Sequence, residues 1–177
     1  RGRRILMDSK IHLYWNVISS PSKLVKTVLD MASIPHEEHV VDLKGGEQRS
    51  EAYLKINPVG KVPAIVDGDF CLSESHTICR YLCQTRKSDV TEKLYPSDVK
   101  ARAQVDSLLD FVASLLYPAV FEKIDACLIA AQKQEKVASQ VVDIINIRRE
   151  QALKRFIGLL KLYEGDFLLG KDMTLAD

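Results

Sequence analysis

Residues 11–17, IHLYWNV, alternate apolar and polar side chains and are rich in β-branched and aromatic types, the pattern of a half-buried strand. From Pro21 to Ser33 the period changes. Leu24, Val28, Leu29 and the Met31/Ala32 pair recur at helical spacing, with Pro21 in the first turn, where a proline is tolerated. EEHVVDL (37–43) reads as a second strand, and a helix between two strands makes them parallel partners in a right-handed βαβ unit. Gly45-Gly46 breaks the chain, and EQRSEAYLKI (47–56) is a short helix. VPAIVDGDFCL (62–72) predicts a hairpin about Asp67-Gly68, a dipeptide that accepts the positive φ of a tight turn. In 74–87, Ile78, Tyr81 and Leu82 share one helical face. The first half therefore reads βαβ, a connecting helix, then ββα.

Near residue 88 the pattern changes character. SDVTEKLYP (88–96) is polar and ends in proline, as a linker would. No strand pattern follows it. Val99, Ala103, Val105, Leu108/Leu109, Val112 and Leu115/Leu116 mark one helix, and Val141, Ile144/Ile145, Leu153, Phe156/Ile157 and Leu160 mark a second over about 137–163. TLAD (174–177) has the form of a capping box, which announces a further helix, so the second domain reads as cut short. The expected organisation is an α/β domain over 10–87, a linker over 88–96 and an incomplete all-α domain over 97–177.

Composition narrows the function classes. The 177 residues are 46% apolar, enough to build cores, and 25 basic side chains stand against 24 acidic ones. A net charge of +1 argues against a large nucleic-acid footprint. The one basic cluster, RGRR at the start, is set aside from fold reasoning as a terminal extension or targeting remnant. No apolar run reaches the length of a membrane span. Cys71, Cys79, Cys83 and Cys127 form no CxxC pair and read as reduced, buried thiols, which makes the cytoplasm the expected compartment. His36 and His39 lie three apart, but no third ligand with metal spacing accompanies them, so no metal site is expected.

Three short motifs carry chemistry. YWNVISSPSKLV (14–25) gathers Tyr14, Ser19, Ser20 and Ser22 around Pro21 where the first strand gives way to the first helix. In NPVGKVPAIV, Pro63 opens a strand, a position that suits a sheet edge or a specialised backbone turn. Ser73-Glu74-Ser75 starts a helix, where serine serves as an N-cap and the exposed N–H groups form a ready anion site.

Taken together, SSPS, NPVGKVPAIVDGDFCLSES (57–75), LYPSDVKARAQVD (94–106) and FLLGKDMTLAD (167–177) resemble the cytosolic glutathione transferases, nearest to their theta-like, serine-type classes. The resemblance runs from Lys10 to Asp177 and rests chiefly on the second stretch. It implies a thioredoxin-like domain (βαβαββα) followed by an all-helical domain. It also implies a cytoplasmic homodimer acting in detoxification, with glutathione as co-substrate, no other cofactor, and a hydrophobic electrophile as second substrate. Residue by residue, it implies a cis Val62–Pro63 bond that turns the Val62 backbone toward a bound tripeptide. Ser75 would hold the γ-glutamyl carboxylate and Glu74 would lie near its amine. Gln48 and Arg49 match positions facing the glycyl end, although histidine or lysine is more usual there. Asp106 matches an acid sometimes linked to the site across a dimer. Phe111, Leu115 and Tyr117 are candidates for the second-substrate cleft, and helical packing explains each equally well.

The hydroxyl run bears on the thiol. A cysteine-like thiol of pKa near 8.5 is only about 3% thiolate at neutral pH. A hydroxyl donating to sulfur that lowered this by roughly 2 units would raise the reactive fraction about 20- to 30-fold. Ser19 matches the catalytic serine of the theta-like enzymes. Tyr14 falls where tyrosine-type classes keep theirs and is the rival, while Ser20 and Ser22 read as the cap and first turn of the helix. The alternative function is a non-catalytic assembly module, since translation-factor subunits and synthetase-associated proteins carry similar folds.

Overall fold

Strand β1 (Ile11–Trp15) lies inside a four-stranded sheet of order β2-β1-β3-β4 in a computed structural model that describes residues 10–177. β2 (His36–Val40) runs parallel to β1, with Ile11 opposite His36 and Trp15 opposite Val40. β3 (Ala64–Asp67) pairs antiparallel with β1, and β4 (Phe70–Ser73) antiparallel with β3. The alternation seen in the sequence sorts β1 by face. Ile11 and Leu13 are fully buried, whereas His12 and Tyr14 on the other face are half-buried.

Helix α1 (Ser20–Met31) and helix α3 (Ser75–Thr85) pack on each other, burying Val25, Val28 and Leu29 from one and Ile78, Cys79, Leu82 and Cys83 from the other. The short α2 (Glu51–Leu54), preceded by a 3-10 turn at Glu47–Arg49, belongs to the opposite face, where Tyr53 meets the ring of Tyr14 edge-on. The thioredoxin-like order expected from the sequence is therefore present. The strands are shorter than their apolar patterns, and side-chain chemistry explains both ends. Asn16 stops β1 by donating from Nδ2 to the Val41 carbonyl (2.8 Å) and accepting at Oδ1 from the Ile18 N–H (3.0 Å). Asp42 ends the extended run after β2, because its carboxylate accepts from the Gly45 N–H while its own N–H donates to Glu47.

The polar stretch 88–96 is no open linker. It contains helix α4 (Asp89–Leu94), started by a capping box between Ser88 and Thr91, with Thr91, Leu94 and Tyr95 buried. The chain divides into two compact units between Pro96 and Ser97. The second unit holds α5 (Val99–Phe111), a π-helical segment (Val112–Leu116), α6 (Tyr117–Gln132) and α7 (Ser139–Leu160). The sequence pattern had marked α5 and α7 but not α6. Near the end, the Asp177 carboxylate accepts from both the N–H and the hydroxyl of Thr174, a capping geometry within the TLAD segment.

One expectation changes. Cys79 and Cys83 are buried, with thiols pushed up in pKa chiefly by desolvation, but Cys71 and Cys127 are exposed; none of the four forms a disulfide. Val105 and Leu109 of α5 are 0% and 2% exposed and belong to the core of the helical unit.

The loop between α2 and β3 hangs on one residue. Asn57 is 2% exposed; its Nδ2 donates to the Lys61 carbonyl (2.6 Å) and its Oδ1 accepts from the Val59 N–H (3.1 Å). Asn57→Ala takes the partner from the Val59 N–H, leaves the Lys61 carbonyl with the Tyr53 hydroxyl alone and empties a buried position, and is expected to cost about 1–3 kcal/mol in chemical denaturation. A loss below roughly 0.5 kcal/mol, the ordinary range of surface substitutions, would mean the loop is held by other contacts.

Candidate functional site

β1, β2 and β4 run in one direction and β3 in the other, so the C-terminal ends of three strands and the start of β3 meet at one end of the sheet. Four loops leave that end. They carry Ser19 after β1, residues 41–50 after β2, residues 57–63 before β3, and Glu74–Ser75 after β4. The first three enclose a cleft of about 490 Å³, lined by Ser19, Gln48, Arg49, Lys61 and Val62 over an apolar floor of Leu43, Leu54 and Val59. Ser19, Gln48, Arg49 and Val62, singled out in the sequence, are thus brought together from positions as far apart as 19 and 62.

Ser19 is itself the N-cap of α1. Its Oγ accepts from the Ser22 N–H at 3.3 Å, in an extended backbone conformation that points the next residues into the helix. This corrects the assignment of the cap to Ser20, which is already the first helical residue. Pro21 follows in the first turn, and Ser22 is fully buried. A serine hydroxyl that accepts one bond still has its single proton to donate, so the capping role and a role toward a ligand are compatible. Tyr14 points elsewhere. Its ring stacks on His39 with centroids 4.6 Å apart, meets Tyr53 edge-on, and is not among the cleft-lining residues. Burial, then the charges of Cys71 and Glu37, raise its pKa, so it is a neutral packing phenol.

The wall opposite Ser19 is set by the loop before β3. Lys61 offers its carbonyl to the Tyr53 hydroxyl (2.6 Å) as well as to Asn57, and the Val62–Pro63 peptide is cis. Gly60 has φ +68°, and a Cβ there would stand 3.2 Å from the Gln48 carbonyl, so both the backbone conformation and the approach of the two loops favour glycine. Gln48 reaches toward the Leu43 carbonyl with Nε2 (3.5 Å), and its Oε1 is buried with no partner, an acceptor available to a ligand N–H. Arg49 and Lys61 are both exposed and give this side of the cleft two cationic groups. Lys61 and Gly60 were missed in the sequence. The signal for Lys61 was its place two residues before Pro63, where the turned backbone carries it into the cleft.

Glu74 and Ser75 do not line the cavity itself. They adjoin it, because Ser73 at the end of β4 is the register partner of Ala64, the residue after Pro63. Glu74, not a serine, is the N-cap of α3; Ser75 is the first helical residue. Glu74 holds φ 70°, ψ 109°, a conformation costing about 1–3 kcal/mol for a residue with a side chain. The N–H groups of the first turn of an eleven-residue helix open beside it.

The candidate second-substrate residues all lie in the helical unit, where each is engaged by neighbouring helical side chains or a small cavity. Phe111 faces Phe156 of α7 with centroids 6.4 Å apart, Tyr117 stacks on Phe121 (4.3 Å), and Leu115 lines a separate cavity of about 250 Å³ with Pro118, Glu122 and Arg148. His36 and His39, considered as a pair in the sequence, occupy one strand and point the same way along neither face. His36 lies against the Ile34 carbonyl and near Asp30, while His39 sits beside His12 and Tyr14.

The sequence of residues 9–84 matches the family model for the glutathione S-transferase N-terminal domain. The chain is 30% identical to rat glutathione S-transferase theta-1 over 94% of its own length and 69% of the relative's. Against human theta-2 it is 32% identical, over 94% and 67% of the two lengths. The chain thus spans about two thirds of these relatives. A solved human theta-class transferase, in complex with the glutathione conjugate of 1-menaphthyl sulfate, superposes with a TM-score of 0.83 at 30% identity, covering 94% of this chain and 67% of the other. With these identities over nearly the whole of its own length, and the family model matched over its first unit, the chain belongs to the glutathione S-transferase family, in the theta-like branch.

Proposed function

We propose that the cleft binds glutathione, that Ser19 donates a hydrogen bond to its sulfur, and that the complete protein transfers the thiolate to a hydrophobic electrophile. The observation that carries this is the position of the Ser19 hydroxyl. It lines the cleft shared with Gln48, Arg49, Lys61 and Val62 and accepts only the Ser22 N–H, so its proton is available to a thiolate. The remaining groups fit a tripeptide with a charged group at each end. Arg49 and Lys61 suit the glycyl carboxylate, the Val62 backbone suits strand-like pairing, and Ser75 with the first turn of α3 suits the γ-glutamyl carboxylate. Glu74 supplies the negative group for the amine. Glutathione enters as co-substrate, and the reaction as written calls on no metal or further cofactor. A homodimer and a cytoplasmic location belong to the same reading. Among the described residues no helix is long and apolar enough to cross a membrane.

Ser19→Ala is expected to lower turnover by one to two orders of magnitude near neutral pH, about 1.4–2.7 kcal/mol in barrier terms. The deficit should shrink as pH rises, because alkaline solution ionises the thiol unaided. The same change removes a helix cap, so a second variant separates the effects. Ser19→Gly is nearly as good a cap, within a few tenths of a kcal/mol, and is expected to restore stability but not turnover. Ultraviolet thiolate absorbance of bound glutathione gives the apparent pKa in each variant. An upward move in Tyr14→Phe with none in Ser19→Ala would transfer the role to the tyrosine. Absence of any thiolate in the parent protein would favour the non-catalytic assembly module.

Lys61→Ala and Ser75→Ala test the two ends of the ligand. Each is expected to raise the Michaelis constant for glutathione several-fold, about 1 kcal/mol, with turnover at saturation little changed. The Lys61 effect should fade at high ionic strength, since that group is exposed. Unaltered affinity in either folded variant removes that residue from the site.

A further inference from the structure

The sheet face that carries Tyr14 also gathers a group of ligating side chains away from the cleft. His12 on β1 stands opposite Glu37 on β2, and His39 lies two residues further along β2, so all three side chains leave the same face. Nδ1 of His12 and Nε2 of His39 are 3.0 Å apart, and Glu37 Oε1 is 3.7 Å from the same His39 nitrogen. One ligand atom from each residue lies within 4.8 Å of the others. We propose that His12, Glu37 and His39 form a binding site for a first-row divalent cation of the zinc class, pinning the edge strand β2 to β1.

Ring geometry shows what binding requires. The imidazole centroids are 5.3 Å apart with planes 25° apart, although the nearest nitrogens are only 3.0 Å apart. The rings therefore lie edge to edge, with the two nitrogens facing one another across a single N–H···N hydrogen bond. Two nitrogens about 2.0–2.1 Å from one tetrahedral Zn²⁺ stand roughly 3.3 Å apart, a few tenths wider than here. A cation enters when the rings swing so that their lone pairs converge rather than oppose. The donating ring moves its proton to its other nitrogen, a change of tautomer that leaves both imidazoles neutral and costs no net charge. Tyr14 stacks on His39 at 4.6 Å and 16° and holds that ring's plane, so the adjustment falls on His12 and Glu37.

The backbone needs no adjustment. The three Cα positions are fixed by the parallel ladder between β1 and β2, so the ligand set is preorganised on rigid strands. Glu37 already divides its oxygens: Oε2 lies 3.3 Å from the Lys10 ammonium, while Oε1 faces His39. Lys10 competes with the cation for that carboxylate without blocking the coordinating oxygen. Two imidazoles and one carboxylate favour Zn²⁺, Ni²⁺ or Cu²⁺ over Mg²⁺ or Ca²⁺, which prefer oxygen sets, and leave a position for water. The site was hidden in the sequence because its two histidines are 27 residues apart and meet only through strand pairing.

The test is calorimetric titration of the untagged protein with ZnCl₂, in a background where the exposed Cys71 and Cys127 are changed to serine so that thiols cannot supply ligands. One Zn²⁺ per chain is expected to bind, with Zn²⁺ raising the melting temperature by mass action. His12→Asn and His39→Asn should each weaken binding by at least about 10-fold and abolish the thermal shift. Glu37→Gln should weaken it several-fold, Lys10→Met should tighten it, and His36→Asn should leave it unchanged. Melting in chelator checks that each variant is folded. Cobalt substitution adds a signature, since visible absorption characteristic of a four-coordinate nitrogen–oxygen site should appear in the parent and vanish in His39→Asn. Failure of Zn²⁺ to bind, binding that survives both histidine variants, or equal binding of Mg²⁺ would each overturn the assignment.

Discussion

The carbonyl oxygen of Lys61 accepts two hydrogen bonds of 2.6 Å, one from the Tyr53 hydroxyl and one from the Asn57 amide. Much of the first unit's binding end depends on that oxygen. It ties α2 to the loop before β3, and through Asn57 it fixes the turn at Val59–Gly60. At Gly60 the loop stands close to the Gln48 carbonyl, where a side chain would crowd it, so two of the loops that wall the cleft meet through backbone. Burial pushes the Tyr53 phenol up to about 12, so it stays protonated and keeps donating across the physiological range.

On the proposed reading, the two ends of the cleft bind charge by different means. At one end Arg49 and Lys61 are exposed point charges, which steer an anion but hold it weakly in salt. At the other, the first turn of α3 offers fixed N–H dipoles that need no reorganisation when the ligand arrives. Ser19 sits beside the corresponding start of α1, so the thiolate would also meet a helix N-terminus. The chemistry asked of the protein is small: a proton's position in a preformed electrostatic setting.

The parts of this architecture visible in the sequence were those written in local periodicity. The alternation of 11–15, the helical spacing of Leu24 to Met31 and the Asp67-Gly68 turn each specify an element without help from the rest of the chain. Helix α4 was misread because SDVTEKLYP looks polar, while its structure comes from a Ser88–Thr91 capping box and the burial of Leu94 and Tyr95. α6 was missed for another reason. Its apolar residues lie on all sides, Pro118 reads as a break, and the π-helical segment before it shifts the phase of any pattern carried over from α5. At the site, the SSPS and KVP motifs were legible as chemistry, but the cap role of Ser19 and the contribution of Lys61 depend on how two loops meet. The cross-strand group of His12, Glu37 and His39 was beyond any local reading, since register decides it.

Glu74 shows what such a binding end demands of the chain that builds it. A glycine would adopt φ 70° without penalty, and Glu74→Gly would relax the start of α3. It would also delete the carboxylate and free the turn that aims the helix. On the proposed reading, stability and activity therefore pull this position in opposite directions, and a screen for heat resistance alone would drift toward glycine there, yielding sturdier proteins with a blunted grip on their ligand.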